Sequence, residues 1–151
     1  MPALPTLAVA PLAGLALLGS TDQSYQGQQG TVQAAVAADA RSLSTLVVDG
    51  LLRCESGALD VRTFTATDVN VARRGTFAHK AAFDQPATSA DGRAVTARFT
   101  TRLAGEFTSP RKLRGTLVAK VAYEVDGAVY ATCRSGRIEF SGSAPRAAAA
   151  P

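Results

Sequence analysis

The stretch VTARFTTRLAGEF, residues 95–107, alternates between two kinds of side chain along its whole length. The odd-numbered positions carry Val, Ala, Phe, Thr, Leu, Gly and Phe, whereas the even-numbered ones carry Thr, Arg, Thr, Arg, Ala and Glu. A period of two with one apolar face is typical of an antiparallel strand that covers a core on one side and meets water on the other. Residues 117–125 repeat the pattern, with Lys120 and Glu124 on the polar face.

Shorter stretches of the same kind lie on both sides of these two, separated by turn residues, and no segment after residue 24 has helical periodicity. About eight short strands of this kind predict an all-β fold, an antiparallel β-sandwich or a flattened barrel. The other candidate strands are residues 31–37, 43–54, 59–66, 68–72, 76–83 and 129–140.

Asp126-Gly127 separates the last two of these strands. A two-residue loop at this point would pair Glu124 with Val129 and set a polar side chain against an apolar one. A three-residue loop, with Gly127 at positive φ, pairs Tyr123 with Val129, and both apolar faces then coincide. We therefore predict the three-residue loop.

The only two cysteines, Cys54 and Cys133, stand in the matching tetrapeptides CESG and CRSG. Each ends a strand whose inward parity includes the cysteine, and in both cases the inward parity flips after the glycine. A one-residue shift at a Ser-Gly step is what a glycine bulge or a tight turn produces. We predict one structural disulfide that closes a loop of roughly 80 residues and stabilises the fold by about 4 kcal/mol. Two free buried thiols or a redox pair are the alternatives.

The ends of the chain differ from its middle. Residues 3–18 are almost continuously apolar, and the first Lys or Arg is Arg41. We predict a signal peptide over residues 1–21, a β-sandwich domain over 25–142 and a disordered tail over 143–151. The basic start of a signal peptide is missing, so a buried N-terminal helix is the alternative. The expected location is secreted or in the cell envelope, with no membrane span in the mature chain.

Several short motifs together resemble a group of small secreted bacterial β-sandwich proteins that has no established activity. The resemblance covers residues 25–142 and implies the fold and the disulfide, but no chemistry. The long loop expected over residues 84–93 departs from the pattern of the group. The motifs are Tyr25-x-Gly27-x-Gln29-Gly30, Gly75-Thr76-Phe77, Gly105-Glu106-Phe107, Gly115-Thr116-Leu117 and Cys133-Arg134-Ser135-Gly136-Arg137-Ile138-x-Phe140.

The sequence offers little catalytic chemistry. His79 is the only histidine, no nucleophile motif accompanies it, and one histidine without free thiols cannot supply the ligands of a zinc site. We interpret His79 as a partly buried strand residue. Asp49, Asp91 and Asp126 each precede a glycine, and a turn explains each of them. We therefore predict no catalytic residue, no cofactor and no metal, and the alternative is a secreted hydrolase of the glycosidase type that uses a carboxylate pair.

A binding role remains. The net charge of +4 favours anionic surroundings, whereas nucleic acid is not expected, because no basic run is interleaved with aromatic residues. We predict an exported, non-enzymatic binding module whose partner is a cell-wall polymer or an envelope protein. A purely structural domain is a further alternative, in which the basic residues are solvated turn charges. The candidate contact residues are Tyr25, Tyr130, Arg73, Arg74, Arg111, Lys112 and Arg114.

Overall fold

A computed structural model describes residues 9–23 and 30–145, which form eight antiparallel strands. The all-β prediction is confirmed. Within the described ranges there is no helix that could span a membrane. The strands are β1 (Ala16–Gln23), β2 (Gly30–Val36), β3 (Ser42–Cys54), β4 (Leu59–Asn70), β5 (Thr76–Thr88), β6 (Ala94–Ser109), β7 (Lys112–Val125) and β8 (Ala128–Ser143).

The sheet follows the order of the chain. Each strand pairs with the next, except at β4 and β5, and β1 pairs with β8, which gives the order β4-β3-β2-β1-β8-β7-β6-β5. At one end β3 also pairs with β8, so that a small part of the sheet closes into a barrel. Between β4 and β5 there is only the bridge of Val71 with Phe77. The molecule is therefore a flattened barrel that stays open along β4 and β5.

The core lies inside the flattened barrel and consists of the alternate side chains of all eight strands. Burying each large apolar side chain stabilises the fold by about 1.5–3 kcal/mol relative to leaving it in water. The inward parity predicted for β6 and β7 is therefore confirmed. The largest fully buried side chains are Leu17, Leu43, Leu46, Leu52, Leu113, Leu117, Ile138, Val32, Val48, Val69 and Val121.

Two glycines of the G-x-F and G-x-L motifs lie side by side in the sheet, and an aromatic ring covers each of them. Phe77, Gly105, Gly115 and Phe140 are directly opposite one another across β5, β6, β7 and β8. A Cβ atom on Gly115 would lie 2.5 Å from the Phe140 Cζ atom, and one on Gly105 would collide with the Phe77 ring. These glycines are thus required for space, because the rings fill the volume that their side chains would take.

The disulfide is confirmed: Cys54 and Cys133 lie directly opposite each other where β3 meets β8. Beside it, the buried side chain of Gln23 continues the connection between the two strands. Its Nε2 atom donates to the carbonyl oxygen of Leu51 at 2.6 Å and to that of Ser135, and its Oε1 accepts the Leu51 N–H at 2.9 Å. The amide of Gln23 thus takes the place of missing backbone hydrogen bonds between β3 and β8.

The two cysteine corners are one bulge and one turn. In the second corner, Ser135 and Gly136 of β8 oppose the single residue Ala119 of β7, and Gly136 has a φ of 63°. The Ser135 hydroxyl accepts the otherwise unpaired N–H of Ala119 at 2.8 Å. In the first corner, Gly57, with a φ of 86°, donates its N–H to the Cys54 carbonyl at 2.9 Å and closes the turn to β4. The parity shift predicted after Gly136 is confirmed. The shift predicted after Gly57 is wrong, because Leu59 and Val61 are 52 % and 61 % exposed and the inner face of β4 keeps the even parity of β3, with Phe64 and Ala66 buried.

Strand β1 was not predicted from the sequence. It lies between β2 and β8 and its inner face, which includes Leu17, Thr21 and Gln23, is buried. It begins before the predicted domain start at residue 25 and overlaps the segment predicted as a signal peptide, which stays a prediction.

At the other end, β8 reaches Ser143, and Ala144 donates its N–H to Arg111, so the predicted tail is ordered at its first residues. Residues 146–151 lie outside the described part.

The prediction of a long loop over residues 84–93 is wrong. Strand β5 continues to Thr88, and its pairing with β6 includes an ion pair of 3.2 Å between Asp84 and Arg98. Pro86 is compatible with this strand because β5 lies at the edge of the sheet, where a missing N–H costs no ladder hydrogen bond. Residues 59–66 and 68–72, predicted as two strands, form the single strand β4 with a kink at Asp68, which has a φ of 53°.

The prediction of a three-residue loop between β7 and β8 is also wrong. Asp126 and Gly127 both have positive φ values, 50° and 80°, and form the two-residue hairpin turn that an Asp-Gly pair favours. A bulge on β8 then corrects the pairing, so that Tyr123 lies opposite Ala131 and Tyr130 is the extra residue. The apolar faces of β7 and β8 coincide as predicted, but the bulge at Tyr130 aligns them and not the length of the turn.

Candidate functional site

Of the two candidate tyrosines, the structure describes only Tyr130. Tyr25 lies outside the described residues. Tyr130 is the extra residue of the β8 bulge, is 52 % exposed and has its ring 6.2 Å from the ring of Tyr123. Tyr130 is therefore available at the surface near the β7–β8 turn.

Four of the predicted basic contacts lie at the same end of the barrel. Arg73 and Arg74 are in the turn from β4 to β5, whereas Arg111 and Lys112 are at the turn from β6 to β7. A hydrogen bond of 2.9 Å between backbone atoms of residues 75 and 107 connects the two turns. The structure thus brings together two corners that are far apart in the sequence.

Arg114 does not belong to this group. Its guanidinium donates to Glu106 on the neighbouring strand at 2.6 Å, on the outer face of the sheet. Arg111 differs from the others as well, because its Nε atom is buried and has no hydrogen-bond partner in the described part of the chain.

The structure reveals a second basic surface that sequence reasoning missed. Lys80 of β5 lies directly opposite Arg102 of β6, and Lys120 of β7 lies directly opposite Arg134 of β8. All four side chains are exposed on the outer face. We call Lys80, Arg102, Lys120 and Arg134 the basic strip.

No acidic side chain in the described ranges forms an ion pair with any residue of the basic strip. Arg98, Arg114 and Arg137 on the same face are compensated by acids. Arg98 contacts Asp84 at 3.2 Å and Glu124 at 3.1 Å. Like charges directly opposite each other on neighbouring strands destabilise a sheet. The basic strip therefore lowers the stability of the free protein, and a bound anion would remove this cost.

A shallow groove of about 470 Å³ runs beside the strip. Lys80, Arg102 and Lys120 line it, and Thr100 and the exposed Val118 lie between these cations. The groove thus offers flexible ammonium and guanidinium groups, a hydroxyl group and some apolar surface.

Carboxylates occur in a groove of about 640 Å³ on the outer face over Gly105 and Gly115. We call it the glycine groove. It contains Asp22 and Glu139, which lie directly opposite each other on β1 and β8, as well as Glu106. Glu139 forms an ion pair with Arg137 at 3.3 Å, and its side chain is 59 % exposed. A carboxylate pair is thus present, but in an open, solvated setting.

Asp49 is not in a turn, contrary to the prediction. It lies inside β3, where its carboxylate accepts hydrogen bonds from the Thr31 hydroxyl at 2.5 Å and the Thr63 hydroxyl at 2.7 Å. These two hydroxyls hold the pKa of Asp49 below its ordinary value. Asp91 and Asp126 do lie in turns.

His79 is half-buried on the inner face of β5, as predicted. In the described ranges, no group of three or more His, Cys, Asp or Glu side chains could hold a metal ion. Comparisons of the chain with protein-family models, with curated proteins and with solved structures find no match.

Proposed function

We propose that this protein is an exported, non-enzymatic binding module that holds an anionic polymer on its basic strip. The observation that carries the proposal is the pairing of Lys80 with Arg102 and of Lys120 with Arg134 without any neutralising acid in the described chain. Retaining a destabilising arrangement of like charges is typical of a surface that serves binding.

Export is supported by the disulfide, because such bonds persist in oxidising compartments and are rare in the cytosol. The signal peptide predicted over residues 1–21 agrees with export, although its last residues form part of β1.

The shape of the strip favours a polymer over a small anion. Its four cations extend over β5, β6, β7 and β8, and neighbouring strands are about 4.8 Å apart, so the strip is about 15 Å wide. Lys and Arg side chains reach phosphate or carboxylate groups along such a chain. Single-stranded nucleic acid would need aromatic rings on which bases stack, and Val118 and Thr100 occupy the positions between the cations. A teichoic-acid type of polymer, with phosphates spaced along a flexible backbone, fits better.

The test compares two variants that lose the same number of charges. The strip variant replaces Lys80, Arg102, Lys120 and Arg134 by Ser, and the end variant replaces Arg41, Arg73, Arg74 and Lys112 by Ser. Arg41 belongs to the same end of the barrel, because it lies between β2 and β3 and its carbonyl accepts the Val71 N–H at 2.8 Å. The probe is purified poly(glycerol phosphate), and its affinity is measured by calorimetry at low salt. We expect the strip variant to lose about tenfold or more in affinity and the end variant to bind nearly as tightly as the native protein.

Equal losses in both variants would show that only net charge matters, and a loss confined to the end variant would locate the site at the turns. Either result contradicts the proposal, as would tighter binding to single-stranded DNA than to the polymer.

A second candidate function, a hydrolase of the glycosidase type, has one observation in its favour. Asp22 and Glu139 are directly opposite each other in the glycine groove, and Cβ atoms in such pairs lie about 4.5–5.5 Å apart. Carboxyl groups carried on Cβ atoms this close can reach the separation of about 5–5.5 Å at which retaining glycosidases place theirs. The candidate predicts turnover of aryl glycosides that is lost in both Asp22→Asn and Glu139→Gln. Turnover that survives in either variant, or no turnover by the native protein, rejects it.

A further inference from the structure

The open side of the barrel contains a crevice. Beyond the bridge between Val71 and Phe77, β4 and β5 are not paired, and a space of about 240 Å³ lies between them. Its floor is made by Thr101 and Leu103 of β6 and by Leu117 of β7. The crevice therefore reaches the side chains of the inner face and lies apart from the basic strip.

An aromatic ring lines one wall of this crevice. Phe83 has the inward parity of β5, yet it is 41 % exposed, because no paired strand covers it on the β4 side. Its ring is stacked on that of Phe99, with centroids 5.1 Å apart and an interplanar angle of 11°. Phe99 occupies one face of the Phe83 ring and does not line the crevice, whereas Phe83 does. The stack thus presents ring surface to the open space.

Polar groups converge on the same space. His79 and Gln85 lie on the same side of β5 as Phe83, and neither side chain has a hydrogen-bond partner in the described part of the chain. Thr63 and Thr65 line the β4 wall, where the Thr63 hydroxyl already donates to Asp49 at 2.7 Å. The crevice therefore combines an apolar platform with an imidazole and an amide group that have no partner among the described residues.

The lining contains no acidic side chain, no lysine and no arginine among its ten residues. Half of them are apolar and half carry a hydroxyl, an amide or an imidazole group. An anionic or cationic ligand would find no partner there, so the lining selects a neutral molecule with both an apolar and a hydroxylated surface.

We propose that the crevice binds a single neutral sugar ring. The C–H face of the ring packs on Phe83, and its hydroxyl groups exchange hydrogen bonds with His79 and Gln85. The volume of the crevice suits a sugar ring. An apolar cavity of about 150 Å³ accommodates benzene, and the crevice offers about 240 Å³ for a six-membered ring with substituents. This site is separate from the basic strip and does not depend on the polymer proposal.

The test uses two neutral probes, methyl β-D-glucopyranoside and methyl N-acetyl-β-D-glucosaminide, titrated into isotopically labelled protein and followed by NMR. We expect saturable shifts of the backbone amides of Phe64, His79, Phe83 and Gln85. Gln85→Ala removes one hydrogen bond from an exposed position and is expected to weaken binding by about fivefold. Phe83→Ala is expected to abolish it. Tyr130→Ala, which removes an exposed ring outside the crevice, serves as the control and leaves binding unchanged.

Two results of the titrations of the native protein would overturn the proposal. One is the absence of saturable shifts with both glycosides, and the other is saturation by cyclohexanol or indole with no response to the glycosides, which marks an apolar cavity only. Gln85→Ala keeps the test decisive if Phe83→Ala fails to fold, because unchanged affinity in Gln85→Ala contradicts the assigned contacts. None of these variants alters the basic strip, so failure here is distinct from failure of the polymer proposal.

Discussion

Lys120 and Arg134 lie directly opposite each other on β7 and β8, and no acid in the described ranges forms an ion pair with either. Directly opposed residues have Cβ atoms about 4.5–5.5 Å apart, so the two cations repel each other across the ladder. The same holds for Lys80 and Arg102 on β5 and β6. This arrangement connects the register of the sheet to the proposed function, and it also affects stability.

Relieving the repulsion should stabilise the free protein. We expect Lys120→Thr to raise the free energy of unfolding by about 0.2–1 kcal/mol at low salt, with the gain shrinking as salt screens the charges. Urea denaturation at two salt concentrations measures the effect. Arg137→Thr is the matched control, because Arg137 is paired with Glu139 and its loss brings no such gain. A decrease in the stability of Lys120→Thr would contradict the account.

The closure of β3 on β8 depends on the disulfide. The double variant Cys54→Ala/Cys133→Ala frees a loop with a sequence separation of 79 residues and is expected to lose about 4 kcal/mol of unfolding free energy. Denaturation of the native protein with a reducing agent should give a similar loss. An unfolding midpoint that neither treatment changes would show that the bond is dispensable.

The polar side chain of Gln23 is expected to contribute as much to the free energy of unfolding as the side chain of a core residue. Gln23→Leu leaves the Leu51 N–H and two buried carbonyl oxygens without their partner, at a cost of about 3 kcal/mol in all. Gln33→Leu, on an exposed position of β2, should change stability by less than about 0.5 kcal/mol. Equal unfolding free energies for the two variants would refute the role given to the Gln23 amide.

Asp49 should make stability depend on pH in acid. Its folded-state pKa is lowered by Thr31 and Thr63, so the ionised carboxylate contributes stability that is present above the unfolded-state pKa near 3.8. This contribution is lost as the pH falls through the lower, folded-state pKa. Thermal unfolding of the native protein and of Asp49→Asn between neutral pH and pH values below 3.8 should show a smaller acid-induced loss in the variant. Thr63→Val should reduce that loss as well, and identical pH profiles in all three proteins would contradict the assignment.

The features set by local patterns could be predicted from the sequence. The period of two in residues 95–107 and 117–125 predicts β6 and β7 with their inner faces. The repeated Cys-x-Ser-Gly corners predict the disulfide and two backbone irregularities, because glycine adopts a positive φ, such as the 63° of Gly136, at lower cost than residues with a Cβ atom. Such features depend on neighbours in the chain alone.

The features set by pairing between strands could not be predicted. Lys80, Arg102, Lys120 and Arg134 are each ordinary outward residues in the sequence, and only the register places them in opposed pairs. That register depends on the bulge beside Ser135, which cannot be located on the partner strand from one sequence. Strand β1 was missed because its apolar beginning resembles a signal peptide.

The salt dependence of polymer binding tests the central claim most directly. Each Lys or Arg that neutralises a phosphate releases a counter-ion, so the slope of log affinity against log salt counts the contacts. We predict that replacing the four residues of the basic strip by Ser makes the slope for poly(glycerol phosphate) shallower by about 3, whereas the end variant with the same charge keeps the native slope. A native slope in the strip variant, or an equal change in both variants, would contradict the assignment of the polymer to the strip.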